Sequence, residues 1–224
     1  MTGVWAVVVA AGRGERLGSD RPKAFANLGG RPLLAESIER LDASDWVEAI
    51  VLAAPPEWEE PCILLSEELG AGKVRSVVSG GSTRADSVRA GLAEVPEEAA
   101  VVLVHDAARP LLPQEVVERL IVALGEGWDG AVPGLPLADT VKRADGEGVV
   151  KETLERSGLY AVQTPQAFVT EVLRRALERD DPATDCASFV EAAGGRVRIV
   201  EGDHRLVKVT TASDLAFVET LLRS

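Results

Sequence analysis

The sequence predicts an α/β fold, in which a mostly parallel twisted sheet is flanked by helices on both faces. Three short apolar runs, residues 4–10, 47–54 and 100–104, are rich in β-branched residues and indicate strands buried on both faces, and residues 74–78 indicate a further strand. The segments between them have the apolar spacing of helices. Strand and helix therefore alternate as in βαβ units, which favours a Rossmann-like parallel sheet.

The remaining elements are predicted from the same patterns. Helices are expected at residues 32–41, 57–69, 114–124, 170–178, 185–193 and 212–222. A further helix, the third in chain order, is expected to begin within residues 80–87 and to end at residue 94. Proline starts the first of these helices, and Thr184-Asp185 caps the sixth. Further strands are expected at residues 130–136, 197–200 and 206–209. We expect residues 1–224 to form a single domain, since this length is enough for one well-buried α/β domain and short for two.

A protruding β-hairpin arm is predicted within this domain at residues 137–154. Two short alternating runs flank the turn sequence Asp145-Gly146-Glu147-Gly148, which is typical of a hairpin. A hairpin that projects from a sheet has exposed edges that favour a partner. A partner that contacts the arm is therefore expected.

The composition limits the classes of partner. A formal net charge of −12 argues against binding to nucleic acid or to an anionic membrane. Only two cysteines occur, Cys62 and Cys186, and their spacing indicates neither a disulfide framework nor a zinc site. The longest apolar run is too short to span a bilayer, and cations follow it rather than precede it as in a signal peptide. We expect a cytoplasmic protein without a further domain after the last helix.

A glycine loop follows the first predicted strand and carries the strongest functional signal. It combines glycines with cations: Gly12, Gly14, Gly18, Arg13, Arg16, Arg21 and Lys23. Glycine leaves backbone N–H groups open to an anion because no Cβ intervenes, and amides with cations at the carboxyl edge of a sheet suit a polyphosphate. The loop matches neither the dinucleotide fingerprint nor the ATPase loop. The alternative is a strand-to-helix turn in which the glycines serve geometry alone.

Two further strand ends carry candidate site residues. Asp106 follows the fourth strand, and a carboxylate beside a polyphosphate loop is a typical Mg²⁺ ligand. The alternative is an aspartate that caps a turn. The stretch Gly80 to Ser87 follows the third strand and offers amides and hydroxyls to a ribose or a base. The alternative there is helix capping by Ser82.

These motifs together resemble a known family. Ala10-Ala11-Gly12-Arg13-Gly14-Glu15-Arg16 followed by Pro22-Lys23 resembles the signature loop of nucleotidyltransferases that make nucleoside-diphosphate sugars and alditols. Among them, the chain is most similar to the 2-C-methyl-D-erythritol 4-phosphate cytidylyltransferase family of the non-mevalonate isoprenoid pathway. The similarity covers nearly the whole chain, including His105-Asp106-Ala107-Ala108-Arg109-Pro110, Arg156-Ser157-Gly158-Leu159-Tyr160 and Lys208-Val209-Thr210. Ala24, Cys186 and Leu206 depart from its usual glutamine, acidic residue and asparagine.

The resemblance implies that the partner of the arm at residues 137–154 is a second copy of this chain, in a homodimer. It also implies a role for each matching residue. Its catalytic cations are Arg16 and Lys23. Its nucleotide-binding residues are Ala10, Ala11, Gly12, Gly14, Gly81, Arg84, Ser87, Asp106 and Ala107. Its substrate-binding residues are Arg109, Thr140, Arg156, Thr164 and Lys208, with Thr140 and Thr164 as weaker or positioning contacts. Asp106 is also expected to bind Mg²⁺ or another divalent cation, whereas His105 is expected to be a packed structural residue.

The implied reaction is the transfer of CMP from CTP to the phosphate of 2-C-methyl-D-erythritol 4-phosphate, with release of pyrophosphate. A phosphate monoester is already an anion near pH 7, so that no general base is needed. Two alternatives remain: a ribitol 5-phosphate cytidylyltransferase, and a non-catalytic nucleotide-binding protein on the same fold. The alanines in the loop and in the Asp106 motif favour methylerythritol phosphate over ribitol phosphate.

Overall fold

An eight-stranded, mostly parallel sheet lies at the centre of the part that the computed structural model describes, residues 3–12, 14, 21–179 and 184–223. In chain order the strands are β1 (Val4–Val9), β2 (Asn27–Leu28), β3 (Arg31–Pro32), β4 (Ala49–Ala54), β5 (Val74–Ser79), β6 (Val101–Asp106), β7 (Gly130–Pro136), β8 (Val141–Ala144), β9 (Val150–Leu154), β10 (Tyr160–Val162), β11 (Gln166–Val169) and β12 (Val197–Glu201). In space the sheet runs β12-β7-β11-β6-β1-β4-β5, with β10 also beside β7.

Strand β1 occupies the middle of the sheet and sets its direction. It pairs in parallel with β4 on one side and with β6 on the other, and β4 in turn pairs in parallel with β5. The carboxyl ends of these four strands therefore meet at one edge. The apolar runs that predicted β4 and β6 are explained by the burial of these two strands between two helical layers, since every residue of both is buried.

Helices cover both faces of the sheet, as predicted. They are α1 (Leu33–Asp42), α2 (Glu59–Glu68), α3 (Arg84–Ala93), α4 (Gln114–Gly125), α5 (Thr170–Leu177), α6 (Cys186–Ala192) and α7 (Ala212–Arg223). Helices α1, α2 and α4 pack on one face in a cluster that contains Ala6 and Val8. Helices α3, α5 and α6 pack on the other face in a cluster that contains Val7. The alternation of side chains along β1 thus serves two cores.

Strand β11 was not predicted, and together with β10 it runs antiparallel to its neighbours in the sheet. It lies between β6 and β7 and runs opposite to both. The strand has only four residues and follows the proline of Gln163-Thr164-Pro165-Gln166, so that its own sequence resembles a turn. Its place in the sheet depends on tertiary pairing.

The strand predicted at residues 206–209 is wrong. Leu206 and Val209 are fully buried, but the segment forms single hydrogen bonds instead of a ladder, from the Leu206 amide to Asp203 and from the Val209 amide to Ala108. The alternation of apolar and polar residues that suggested a strand comes from an irregular segment that buries two side chains in the small cluster beneath α7 and in the main core.

The predicted hairpin is present outside the main sheet. Strands β8 and β9 pair antiparallel with each other, and Arg143 lies opposite Glu152 with their side chains in an ion pair at 3.2 Å. The Asp145 carboxylate closes the turn by accepting the amides of Glu147 and Val149. Nearly all residues of both strands are exposed.

The helices of the described residues were also compared with the requirements of a membrane span. None of them combines the length and the apolar character that crossing a bilayer demands.

Candidate active site

A cleft of about 1210 Å³ lies at the carboxyl edge of the sheet. Its walls are the segments that follow β1, β4, β5 and β6, together with the segment from Lys208 to Thr210. The cleft brings together most of the predicted site residues that the structure describes: Ala10, Ala11, Gly12, Gly14, Lys23, Gly81, Arg84, Ser87, Asp106, Ala107 and Lys208. Arg16 and Arg13 lie outside the described residues.

The glycine loop holds Lys23 against its own backbone. The amide of Lys23 donates to the carbonyl of Gly12 at 3.2 Å. Gly14 has a φ of +72°, and a Cβ at this position would lie 2.8 Å from the Cβ of Lys23. A side chain at position 14 is therefore excluded by both conformation and space, and Lys23 approaches the loop as closely as glycine permits.

The segment after β5 is shaped by close contact and by a helix cap. A Cβ on Gly80 would lie 2.4 Å from the Cβ of Ala11, so that the absence of a side chain lets this segment touch the glycine loop. The N-cap of α3 is Thr83 and not Ser82: its hydroxyl accepts the Asp86 amide while the Asp86 carboxylate accepts the Thr83 amide. The buried Ser87 hydroxyl accepts the Gly81 amide and donates to the Thr83 carbonyl.

Asp106 is the anionic centre of a cation cluster. Its Oδ1 accepts from Arg84 Nε at 2.9 Å, and its Oδ2 accepts from Lys208 Nζ at 2.8 Å. Burial acts to raise the pKa of Asp106, but the positive charges of Arg84 and Lys208 outweigh burial and hold that pKa well below its usual range. The carboxylate is therefore ionised at neutral pH, and the three charges together leave an excess of one positive charge.

Arg84 has hydrogen-bonding capacity to spare. Its Nη1 donates to the Sγ of Cys186 at 3.4 Å, and burial raises the pKa of that thiol to about 11, so that it stays neutral. Its Nη2 is buried and has no hydrogen-bond partner among the described residues. A buried donor without a partner is costly, which makes this atom a candidate contact for an anion in the cleft.

A buried chain of hydrogen bonds fixes the backbone of Asp106. The amide of Asp106 donates to the Thr164 hydroxyl at 3.0 Å, and this hydroxyl lies 3.4 Å from Nδ1 of His105. Nε2 of His105 lies 3.1 Å from the Arg109 carbonyl, which can only accept, so that Nε2 carries the proton and Nδ1 accepts from Thr164. Thr164 is thus placed behind Asp106, where it can orient the carboxylate.

We expect His105 to stay neutral at pH values well below the usual pKa of histidine. Burial lowers its pKa to about 4, against about 6.5 in an unfolded chain, so that between these values the unfolded state binds the extra proton. The free energy of unfolding should therefore fall by roughly 1 kcal/mol per pH unit as the pH is lowered from 6.5 towards 4. Urea unfolding across this window measures the slope.

The titration of His105 can also be followed directly. In a His204→Gln variant, His105 is the one remaining imidazole, because the sequence has only two histidines. Its ring proton signals should titrate with a midpoint near the folded value of about 4. A midpoint near 6.5 would contradict the burial argument.

The loop that carries Lys208 is held from two sides. The amide of Val209 donates to the carbonyl of Ala108, next to Asp106. On the other side, the Asp214 carboxylate at the start of α7 accepts from the amide and the hydroxyl of Thr210. The pKa of Asp214 is lowered to about 2, and the largest cause is the hydrogen bond that its carboxylate accepts from the Thr210 hydroxyl. Lys208 therefore extends from a fixed segment.

Four predicted substrate-binding residues do not line the cleft: Arg109, Thr140, Arg156 and Thr164. The guanidinium of Arg109 donates to the Leu206 carbonyl, and burial lowers the pKa of this group. Thr140 is exposed at the start of the arm. Arg156 is exposed at the base of the arm and donates to the Leu137 carbonyl at 3.2 Å.

Sequence reasoning missed the segment after β4 as a wall of the cleft. Pro55, Pro56, Glu57 and Trp58 all line it. In the sequence, the two prolines indicate only the end of a strand. The signal that was available is the position of this segment: it follows a parallel strand next to β1, and ligands in such sheets bind outside the carboxyl ends of the strands.

This arrangement defines a class of protein before any comparison. A parallel sheet with a glycine loop, a cation cluster and one ionised carboxylate at its carboxyl edge is the architecture of a nucleotide-binding α/β protein. Comparison with known proteins identifies the family within this class. The model of the 2-C-methyl-D-erythritol 4-phosphate cytidylyltransferase family matches residues 4–224.

Individual relatives match nearly the whole length of this chain. The enzyme of that name from Nocardia farcinica is 47% identical over 219 residues, which cover 98% of this chain and 94% of the relative. That from Frankia casuarinae is 48% identical over 220 residues, with 98% and 81% covered. The crystal structure of the Thermus thermophilus enzyme is similar with a TM-score of 0.80 at 33% identity, covering 97% of this chain and 98% of that one.

A crystal structure described as 4-diphosphocytidyl-2C-methyl-D-erythritol synthase has a TM-score of 0.85 at 33% identity and covers 99% of both chains. The chain belongs to the 2-C-methyl-D-erythritol 4-phosphate cytidylyltransferase family.

Proposed function

We propose that this protein transfers CMP from CTP to the phosphate of 2-C-methyl-D-erythritol 4-phosphate, giving 4-diphosphocytidyl-2-C-methyl-D-erythritol and pyrophosphate. The reaction belongs to non-mevalonate isoprenoid precursor synthesis. Family membership supports the proposal, since relatives that span nearly the whole chain bear this activity in their names. The site residues that the structure describes support it through their chemistry.

The observation that carries the proposal is the convergence of Lys23, Arg84 and Lys208 on one cleft around Asp106. The whole chain has a net charge of −12, so that a site for two polyanions must be a local concentration of cations. The buried Nη2 of Arg84, which has no partner among the described residues, adds a donor that a phosphate oxygen satisfies.

The proposed chemistry depends on position and electrostatics. The oxygen of the acceptor phosphate attacks the α-phosphorus of CTP, and the bond to the pyrophosphate oxygen breaks. Because the attacking oxygen is already ionised near pH 7, no group has to remove a proton from it. The burial of His105 fits this scheme, since that residue is neutral, fully buried and not in the cleft wall.

Each described cation has a proposed task. Lys23 lies in the cleft wall next to the glycine loop and neutralises charge on the α-phosphate and the leaving pyrophosphate. Lys208 extends over Asp106 from the opposite loop and binds the incoming phosphate. Arg84 and the amides of the segment after β5 face the nucleotide. Arg16, which lies outside the described residues, is proposed to act with Lys23.

Asp106 is the proposed ligand of a divalent cation. Mg²⁺ in phosphoryl-transfer sites typically takes one or two carboxylates, and substrate phosphates and waters fill its remaining positions. An ionised carboxylate offers about four lone-pair sites, of which Arg84 and Lys208 use two, so that Asp106 fits this task. When held by Asp106 and the substrate phosphates, the cation would neutralise phosphate charge.

The arm is the proposed dimer contact, within one domain of residues 1–224. Its flank exposes large apolar side chains, including Val149, Val150, Tyr160 and Val162. A second observation supports a partner: Thr140 and Arg156 lie at the arm and away from the cleft of their own chain. If Arg156 binds the acceptor phosphate, the cleft it serves belongs to a second copy of this chain.

A dimer should appear in light scattering at twice the chain mass of 23.7 kDa. Lys23→Ala and Arg156→Ala variants, each with low activity, should regain turnover when they are unfolded and refolded together, because mixed dimers contain one intact composite site. The Lys23→Ala variant refolded with itself is the control. A monomeric mass, or no recovery in the mixture, would contradict the shared site.

Location in the cytoplasm is part of the same proposal. Both cysteines are buried and unpaired, which is typical of proteins in a reducing compartment.

The test of the function is pyrophosphate release in the presence of Mg²⁺. CTP is compared with UTP, ATP and GTP, and 2-C-methyl-D-erythritol 4-phosphate with ribitol 5-phosphate. We expect turnover only with CTP and methylerythritol phosphate. Turnover with ribitol phosphate would retain the mechanism and change the substrate, and turnover with no pair would leave a binding protein.

A further inference from the structure

An aromatic contact joins two walls of the cleft. The rings of Phe25 and Trp58 have centroids 4.6 Å apart and planes inclined at 47°. Phe25 ends the 3-10 turn Lys23–Phe25, which follows the glycine loop of β1. Trp58 lies in the segment after β4 and lines the cleft. The contact therefore connects the segment that carries Lys23 with the segment after β4, which forms another wall of the cleft.

The turn that carries Lys23 is short. Two backbone hydrogen bonds define it, from the Phe25 amide to Pro22 at 2.8 Å and from the Ala26 amide to Lys23 at 3.0 Å, and no side chain caps it. Single 3-10 turns have weaker hydrogen-bond geometry than α-helices. Ala24 is buried in the core, so that Lys23 and Phe25 leave the turn on either side of this anchor. The orientation of the Phe25 ring thereby constrains the orientation of Lys23.

Trp58 is a rigid support for that ring. Its amide donates to the Pro55 carbonyl at 2.9 Å, and its carbonyl accepts the Cys62 amide at 3.1 Å at the start of α2. Glu57, directly before it, has a φ of +68°, which is unfavourable for a residue with a side chain. Such residues persist where the surrounding structure imposes them, and they are frequent at functional sites.

We propose that Trp58 is a positioning residue for Lys23: through the ring of Phe25, it holds the turn so that the lysine faces the cleft. The inference rests on the role of Lys23 in the proposed function. It assigns a task to a segment that no motif of the chain had identified. A direct contact of Trp58 with the base of the nucleotide is the competing explanation, which the experiment separates.

The first experiment compares Trp58→Ala with Trp58→Phe and with a matched control, Trp46→Ala. Trp46 is 41% exposed and precedes β4, at the opposite end of that strand from the cleft. Trp58→Ala should lower kcat by about 3- to 10-fold, as expected for the loss of one aromatic pair, with KM for CTP within about 2-fold. Trp58→Phe should restore most of kcat, and Trp46→Ala should have no effect.

The second experiment tests whether Trp58 acts through Lys23. In a Lys23→Ala background, Trp58→Ala should cause no further loss of residual turnover, because the group that it positions is gone. A loss by the same factor in both backgrounds would overturn the proposal. So would a raised KM for CTP with unchanged kcat, which indicates direct contact with the base. If Trp58→Ala does not fold, Phe25→Leu, which keeps apolar packing, replaces it with the same expectations.

A third readout does not require turnover. Lysines are dimethylated with ¹³C, and the Lys23 signal is identified by its absence in Lys23→Ala. Trp58→Ala should shift this signal, whereas Trp46→Ala should leave it in place. An unmoved signal would overturn the positioning role. If the wild-type protein shows no cytidylyl transfer, the proposed function fails, and the inference on Trp58 is still decided by this signal.

Discussion

Replacement of Lys23 by alanine should lower kcat by roughly 10²-fold or more while the protein stays folded. The physical reason is the loss of a positive charge that develops its full effect only in the transition state, where charge accumulates on the α-phosphate and the pyrophosphate oxygens. Lys23 lines the cleft, so that the variant removes a positive charge from the wall of the site itself. Steady-state pyrophosphate release with saturating substrates measures the effect.

Lys73→Ala is the matched control for this variant. Lys73 precedes β5 at the edge of the sheet opposite the cleft, where its Nζ donates to the Ser44 carbonyl at 2.6 Å. Its loss should leave kcat unchanged. Turnover of Lys23→Ala within a few-fold of wild type would show that Lys23 is not a catalytic residue.

Asp106→Asn should have an effect of similar size on kcat, about 10²-fold or more, and it should also destabilise the fold. Asparagine has nearly the same shape as aspartate but no charge. Arg84 and Lys208 therefore lose the carboxylate with which Nε and Nζ form ion pairs at 2.9 and 2.8 Å. The proposed ligand of the divalent cation is lost as well. We expect the free energy of unfolding to fall by roughly 2 kcal/mol, less than for a fully buried pair because Lys208 is partly exposed.

Two measurements separate the effects of Asp106→Asn. Urea unfolding gives the stability, and turnover under conditions where the variant is fully folded gives the catalytic loss. Asp42→Asn is the control, since Asp42 accepts the Lys73 amide at 2.7 Å on the far side of the sheet. If Asp106→Asn were destabilised but retained kcat within a few-fold, Asp106 would be a structural residue only.

The parallel strands could be predicted from the sequence because their burial on both faces leaves a continuous apolar run. Residues 100–104 predicted β6 to within two residues, and residues 130–136 predicted β7 at its observed bounds. The turn at Asp145 likewise predicted the hairpin, since its side chain and its glycines act locally. Local chemistry was sufficient in these cases.

Other features depend on residues that are distant in the chain. Strand β11 exists because β6 and β7 offer it two edges, and its four residues contain too little pattern to indicate this. Motifs placed Asp106, Arg84 and Lys208 individually at the ends of elements, but only the fold shows that two cations share one carboxylate. The contact of Phe25 with Trp58 had no sequence signal, because ring contacts follow from packing.

The carboxylate of Asp106 has a consequence for how a metal ion would be acquired. Both of its oxygens already accept from cations, and the described residues contain no cluster of three or more acidic, histidine or cysteine side chains that could hold a metal ion. Such a donor set has little affinity for a free ion, whereas the phosphates of a nucleotide have much. The metal would therefore arrive and leave as a complex with the nucleotide, and treatment with a chelator should stop turnover reversibly without lowering the melting temperature.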